Sequence, residues 1–130
     1  MATDLRSRLW RSLRDIDGVD EGSSVFGDDD ARALWVDGTQ IAHFVRVDAL
    51  EVRLTKKRIS ADRAKLKADP RITLRRNASD WLTVQFARAT DLPFVHELIA
   101  TAAAAHRPST DRPLRPPPVG AELARRRRFH

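Results

Sequence analysis

The side chains best able to do chemistry in this chain are cations, and they are unevenly spread. Residues 46–76 hold 11 Lys and Arg against Asp48, Glu51, Asp62 and Asp69, a net of +7, whereas residues 1–45 carry a net of −4. Arg53, Lys56, Lys57 and Arg58 span a predicted strand end and helix start, and Arg75 and Arg76 follow the next strand. Gathered on one face, these six side chains could hold phosphates, each neutralised phosphate adding a salt-dependent increment of affinity. A second group, Arg125, Arg126, Arg127 and Arg128, lies in a segment, residues 107–130, with a net charge of +5. The competing reading is a solvated face, or pairing with the acidic N-terminal segment. No Trp, Tyr or Phe interrupts residues 46–76, so the stretch lacks the stacking rings that single-strand binders use.

Other reactive types are sparse. Cysteine is absent, which excludes disulfides, thiolate nucleophiles and Cys-based zinc sites. His96 and His106 share a predicted helix about three turns apart, too far to hold one ion together. His43 sits on a predicted strand, and an ordinary satisfied histidine is the simpler reading of each. Ser79-Asp80 lacks the strand–elbow–helix setting of a nucleophile and reads as a turn. Residues 28–30, three consecutive Asp, have no further carboxylates at cation-binding spacing and read as a solvated turn. The five glycines are scattered and build no phosphate-cradling loop. A ligand pocket, if the fold makes one, is expected between sheet and helices near Trp35, His43 and Trp81.

These residues need elements to position them. Leu5, Leu9, Leu13 and Ile16 share one helical face behind a Thr3 or Asp4 cap. A short strand is expected at residues 23–26. Asp37-Gly38 between apolar runs is a hairpin signal, because a type I′ turn needs positive φ at both central residues. Leu50, Val52 and Leu54 alternate with Glu51 and Arg53, a half-buried strand. Residues 56–68 read as one helix with Ile59 and Leu66 inward, ended by Asp69-Pro70. Ile72 and Leu74 suggest a short strand, and residues 81–86 another, with Leu82, Val84 and Phe86 on one side. Residues 91–106 form the last predicted helix, with Pro93 tolerated in its first turn. Five of the seven prolines fall in residues 107–130, so that segment is expected to be disordered or polyproline-like, with a helix over residues 121–128 only if something binds it.

The strings Leu34-Trp35-Val36-Asp37-Gly38-Thr39-Gln40-Ile41-Ala42-His43, Leu54-Thr55-Lys56-Lys57, Lys67-Ala68-Asp69-Pro70-Arg71 and Ser79-Asp80-Trp81 resemble a small prokaryotic family labelled the luciferase domain. The resemblance covers roughly residues 31–106, implies no light emission and carries no residue roles. The layout is also similar to MmcQ/YjbR-like α+β proteins, some of which have been discussed as DNA-binding. The residues beyond Arg107 lie outside both likenesses.

Together these features predict one α+β domain over residues 1–106, in the order α-β-β-β-α-β-β-α, with about five antiparallel strands and helices on one face. The leading expectation of function is a non-enzymatic module binding an anionic partner, nucleic acid being the most economical. The alternatives are a small-ligand or enzymatic domain using the Trp35–His43–Trp81 region, or a protein-interaction module. No cofactor or metal is expected. The polar N-terminus and short apolar runs lead to an expected cytoplasmic location without a membrane span; nothing in the sequence sets the oligomeric state.

Overall fold

A computed structural model of the chain describes residues 4–26 and 31–129. The Thr3 alternative for the first cap and the triple-Asp turn lie outside these residues. Asp4 is the cap that is described: its carboxylate accepts from the Ser7 N–H at 2.8 Å, opening helix α1, Leu5–Arg14. Leu9 and Leu13 are its fully buried positions, as their spacing of four requires.

Among the described residues the sheet has six antiparallel strands rather than about five: β1 Asp20–Ser23, β2 Arg32–Val36, β3 Thr39–Arg46, β4 Ala49–Arg53, β5 Ile72–Leu74 and β6 Trp81–Gln85, in the order β1-β2-β3-β4-β6-β5. The added strand is β1, which lies earlier than residues 23–26. Within it Gly22 lies under Pro117, where a Cβ would come within 2.7 Å of the proline side chain. Past β1, the Ser24 N–H donates to the Ala31 carbonyl at 2.8 Å, Val25 N–H donates to Gln40 Oε1 at 2.8 Å, and Gln40 Nε2 donates to Ser24 Oγ at 3.0 Å.

The β2–β3 turn is the one expected, with φ of 50° at Asp37 and 77° at Gly38. One pairing step past it the register shifts, so that Trp35 faces Gln40 while Leu34 faces Ala42. Ile41 is the extra residue of this bulge. The shift lets Leu34, Val36, Ile41 and Ala42 all enter the main core while Trp35 points to the other side.

That core lies on one sheet face. Leu34, Leu50, Val52, Leu82 and Val84 meet Leu9 and Leu13 of α1 and Val95, Ile99 and Ala102 of α4, Leu92–His106. The predicted single helix over residues 56–68 is two, α2 Lys56–Ala61 and α3 Arg63–Ala68. Asp62 breaks it, with φ −104° and ψ 15°, its carboxylate drawn to Arg58 at 3.0 Å. Asp favours such local bonding over helix interior. Ile59 and Leu66 are both buried on either side of the break.

The expectations of helices on one face and of a disordered C-terminal segment are also corrected. Residues 120–128 form helix α5, Gly120–Arg128, and it packs on the opposite face, where Leu123 joins Val25, Ala33 and Trp35. The proline-rich stretch before it is tied to the body by ions. Arg107 donates to the Asp17 carboxylate at 3.1 Å, Arg112 grips Asp37 at 2.8 and 2.5 Å, and the Arg115 N–H donates to Asp37 at 2.9 Å. Proline density argued against a buried segment; bidentate Arg–carboxylate pairing and one buried leucine supply the docking instead. No helix among the described residues is long and apolar enough to cross a membrane.

Candidate functional site

The second sheet face carries the residues of interest. Strand alternation puts His43, Glu51, Arg53, Trp81 and Thr83 there, since His43 pairs with Glu51, Glu51 with Thr83, and Arg53 with Trp81. Phe26 leans over this face from the loop after β1. Its ring stacks on His43 with centroids 4.9 Å apart and meets Trp81 edge-on at 6.0 Å, while His43 and Trp81 are 5.9 Å apart. The guanidinium of Arg53 lies 5.9 Å from the Trp81 ring centroid.

His43 is buried, and its Nε2 lies 3.6 Å from Glu51 Oε1. Burial pushes its imidazole below the ordinary value, against the opposing pull of Glu51. Glu51 is shared with Arg75, which hydrogen-bonds its other oxygen. His43 thus lies against Phe26 and Trp81 with its charged form disfavoured by burial, and it lines neither of the cavities beside them.

Two cavities meet at Trp81. One, of about 320 Å³, lies between the sheet and α5 and is lined by Trp35, Gln40, Arg53, Trp81 and Arg126 among others. Arg126 closes it from α5, donating to the Gly38 carbonyl at 2.6 Å with its guanidinium 5.8 Å from the Trp35 ring centroid. The other, of about 300 Å³, lies between α2, α3 and the β5–β6 turn, and its walls include Lys56, Arg63, Arg75, Asn77, Ser79 and Trp81. Among the described residues no carboxylate lines either cavity. Asp80, next to Trp81, is already engaged: it accepts from the Lys56 N–H at 2.8 Å and from Arg53 at 3.4 Å.

The fold thus brings together Arg53, Lys56, Arg75 and Arg126 around Trp81. It does not bring in the rest of the predicted cations. Arg58 is paired with Asp62 and faces a separate shallow groove with His96. Lys57, Arg76 and Arg128 are exposed and line neither cavity. Arg125 is paired with Glu122 at 2.9 Å, and Arg127 donates to the Ser24 carbonyl at 3.2 Å. Of the predicted pocket residues, Trp35 and Trp81 share a cavity and His43 lies behind it. Sequence reasoning missed Arg63 and Phe26. Arg63 stands seven residues after Lys56, two helical turns along one face; that spacing was the available signal. Phe26 arrives from a loop, and no local pattern marks it.

Among the described residues no group of three His, Asp or Glu converges in a way that could hold a metal. Ser79 Oγ accepts from the Trp81 N–H at 3.1 Å, which is turn chemistry. No protein-family profile, curated protein or solved structure matches this chain.

Proposed function

We propose that this chain is a non-enzymatic binding module for single-stranded nucleic acid, engaged around Trp81. The observation that carries the reading is the convergence of aromatic and cationic side chains from separate segments. Phe26, Trp35 and Trp81 surround Arg53 and Arg126, and Lys56, Arg63 and Arg75 lie on the far side of the same Trp81 ring. The cationic stretch has no aromatic of its own, and the sheet supplies one. Base stacking on such a ring contributes about 1–3 kcal/mol per base and tolerates any sequence, while guanidinium groups beside it take the backbone phosphates. Lys57, Arg76 and Arg128, exposed away from the two cavities, add a sequence-independent, salt-sensitive contribution.

The test is fluorescence anisotropy with a labelled 15-nucleotide poly-dT at about 50 mM salt and upward. Affinity should fall linearly in log–log coordinates. Trp81→Ala should weaken binding about 10–100-fold with an unchanged far-ultraviolet spectrum. Absence of binding at the lowest salt, or an unaffected Trp81→Ala variant, refutes the reading. A second reading, a small planar anion seated between Trp35, Trp81, Arg53 and Arg126, is favoured by the two tryptophans and two arginines of one small cavity. It predicts ligand-induced thermal stabilisation without polymer binding.

A further inference from the structure

The cavity bounded by Lys56, Arg63 and Arg75 differs from an ordinary basic surface in how its charge is spent. Arg75 is shared with Glu51. Lys56 and Arg63 have no carboxylate partner among the described residues, although they stand in the same cavity of about 300 Å³. Neutral donors and the apolar side chains of Ile59, Leu74 and Ala78 complete the lining. Asn77 contributes an amide, and Ser79, whose Oγ already accepts from the Trp81 N–H, keeps its O–H free to donate outward. Trp81 forms the aromatic wall. Two uncommitted cations match a group of charge near −2 better than an internal phosphodiester of charge −1. A phosphomonoester carries about −1.5 to −2 at neutral pH and presents three acceptor oxygens.

We infer that this cavity is a subsite for a nucleotide phosphomonoester, the terminal phosphate of a single strand or of a mononucleotide, with its base against Trp81. Lys56 and Arg63 neutralise the phosphate, Arg75 and Ser79 donate to its oxygens, and Asn77 is placed to meet the sugar or base edge. An internal stretch of strand would leave one cation uncompensated, so the subsite distinguishes a phosphorylated end from the middle of a chain. The inference rests on the nucleic-acid reading above and adds a preference to it.

The experiment compares 10-nucleotide poly-dT strands bearing a 5′-phosphate, a 3′-phosphate or only hydroxyl ends, each labelled at the opposite end, at about 100 mM salt. One phosphorylated strand should bind about tenfold or more tighter than the hydroxyl strand, the worth of a charge-assisted contact. Arg63→Ala and Lys56→Gln should erase most of that difference, weakening the phosphorylated strand by a larger factor than the hydroxyl strand. Arg63→Lys should restore part of it. Thymidine monophosphate should compete, and inorganic phosphate should compete far less because it cannot use Trp81. Equal affinity for all three strands, with Trp81→Ala still weakening them, overturns the inference and leaves the nucleic-acid reading standing. If no strand binds, that reading fails. Quenching of tryptophan emission by thymidine monophosphate would then still support the subsite, and its absence would sink it. Binding of phosphatidic acid vesicles in preference to thymidine monophosphate would transfer the phosphate to a lipid and overturn the nucleotide assignment.

Discussion

Replacing Leu123 by alanine tests whether α5 is part of the fold. Leu123 is only 9% exposed and is the sole α5 side chain in the small cluster with Val25, Ala33 and Trp35. Truncation removes three carbons from that contact. At about 0.8 kcal/mol per buried carbon this is about 2.4 kcal/mol, and the slight exposure trims it to about 2. The site lies at the margin of the molecule and can close or admit water, so no large cavity penalty is added. A loss of about 2 kcal/mol raises the undocked fraction of α5 about 30-fold. Amide hydrogen exchange reads this directly: protection of residues 121–128 should drop by that factor while β4 and β6 keep theirs. Trp35, 1% exposed, should become quenchable by acrylamide over the same range. Unchanged protection in Leu123→Ala would show that α5 is held by Arg126 and Arg127 rather than by this contact; absence of protection at residues 121–128 in the parent chain would overturn the docked helix.

Two further perturbations act on the hairpin tip. Gly38→Val places a β-branched residue at φ 77° and should cost about 1–2 kcal/mol, read by urea denaturation. A neutral result would mean that the turn is not the type I′ one described here. Asp37 is held at about 2, chiefly by the side-chain bond from Arg112 and then by the Arg115 N–H. Its folded value is depressed, so the stabilisation is complete above the ordinary 3.8 and disappears as pH falls from about 4 towards 2. Exchange protection at residues 121–128 should weaken across that window before the sheet unfolds, and Asp37→Asn should remove the step; a pH-independent profile would contradict the tie.

Much of the sheet was legible because its signals are local. Asp37-Gly38 demanded positive φ, and the alternation of Leu50, Val52, Leu82 and Val84 fixed which face is apolar. The failures share a cause, which is dependence on partners distant in sequence. Gly22 of strand β1 lies under Pro117, a relation no window of a few residues contains. The break at Asp62 was a local signal overridden by the helical spacing of Ile59 and Leu66, which survives the break intact. Helix α5 looked unfoldable because only Leu123 of its nine residues is buried; its hold comes from Arg126 reaching the Gly38 carbonyl and Arg127 reaching the Ser24 carbonyl. The candidate site was half visible. Arg53, Lys56 and Arg75 could be read from charge density, but their juxtaposition with Trp81 and Phe26 required the sheet register.

The hairpin tip also sets an order of events. Asp37 takes Arg112 from 75 residues away, and the Gly38 carbonyl takes Arg126 from 88 residues away. Closing loops of that length costs entropy with no return until both ends are shaped. The tip can be shaped early, since its own turn is two residues long, so it waits as a preformed latch while the intervening strands assemble. Until the distant arginines arrive, Trp35 stands without the cover of α5 on a sheet whose other face is already packed. Substitutions at the tip should therefore be felt last along the folding route and far along the chain, as loosened residues 112–126. A screen that scores only the sheet core would pass them.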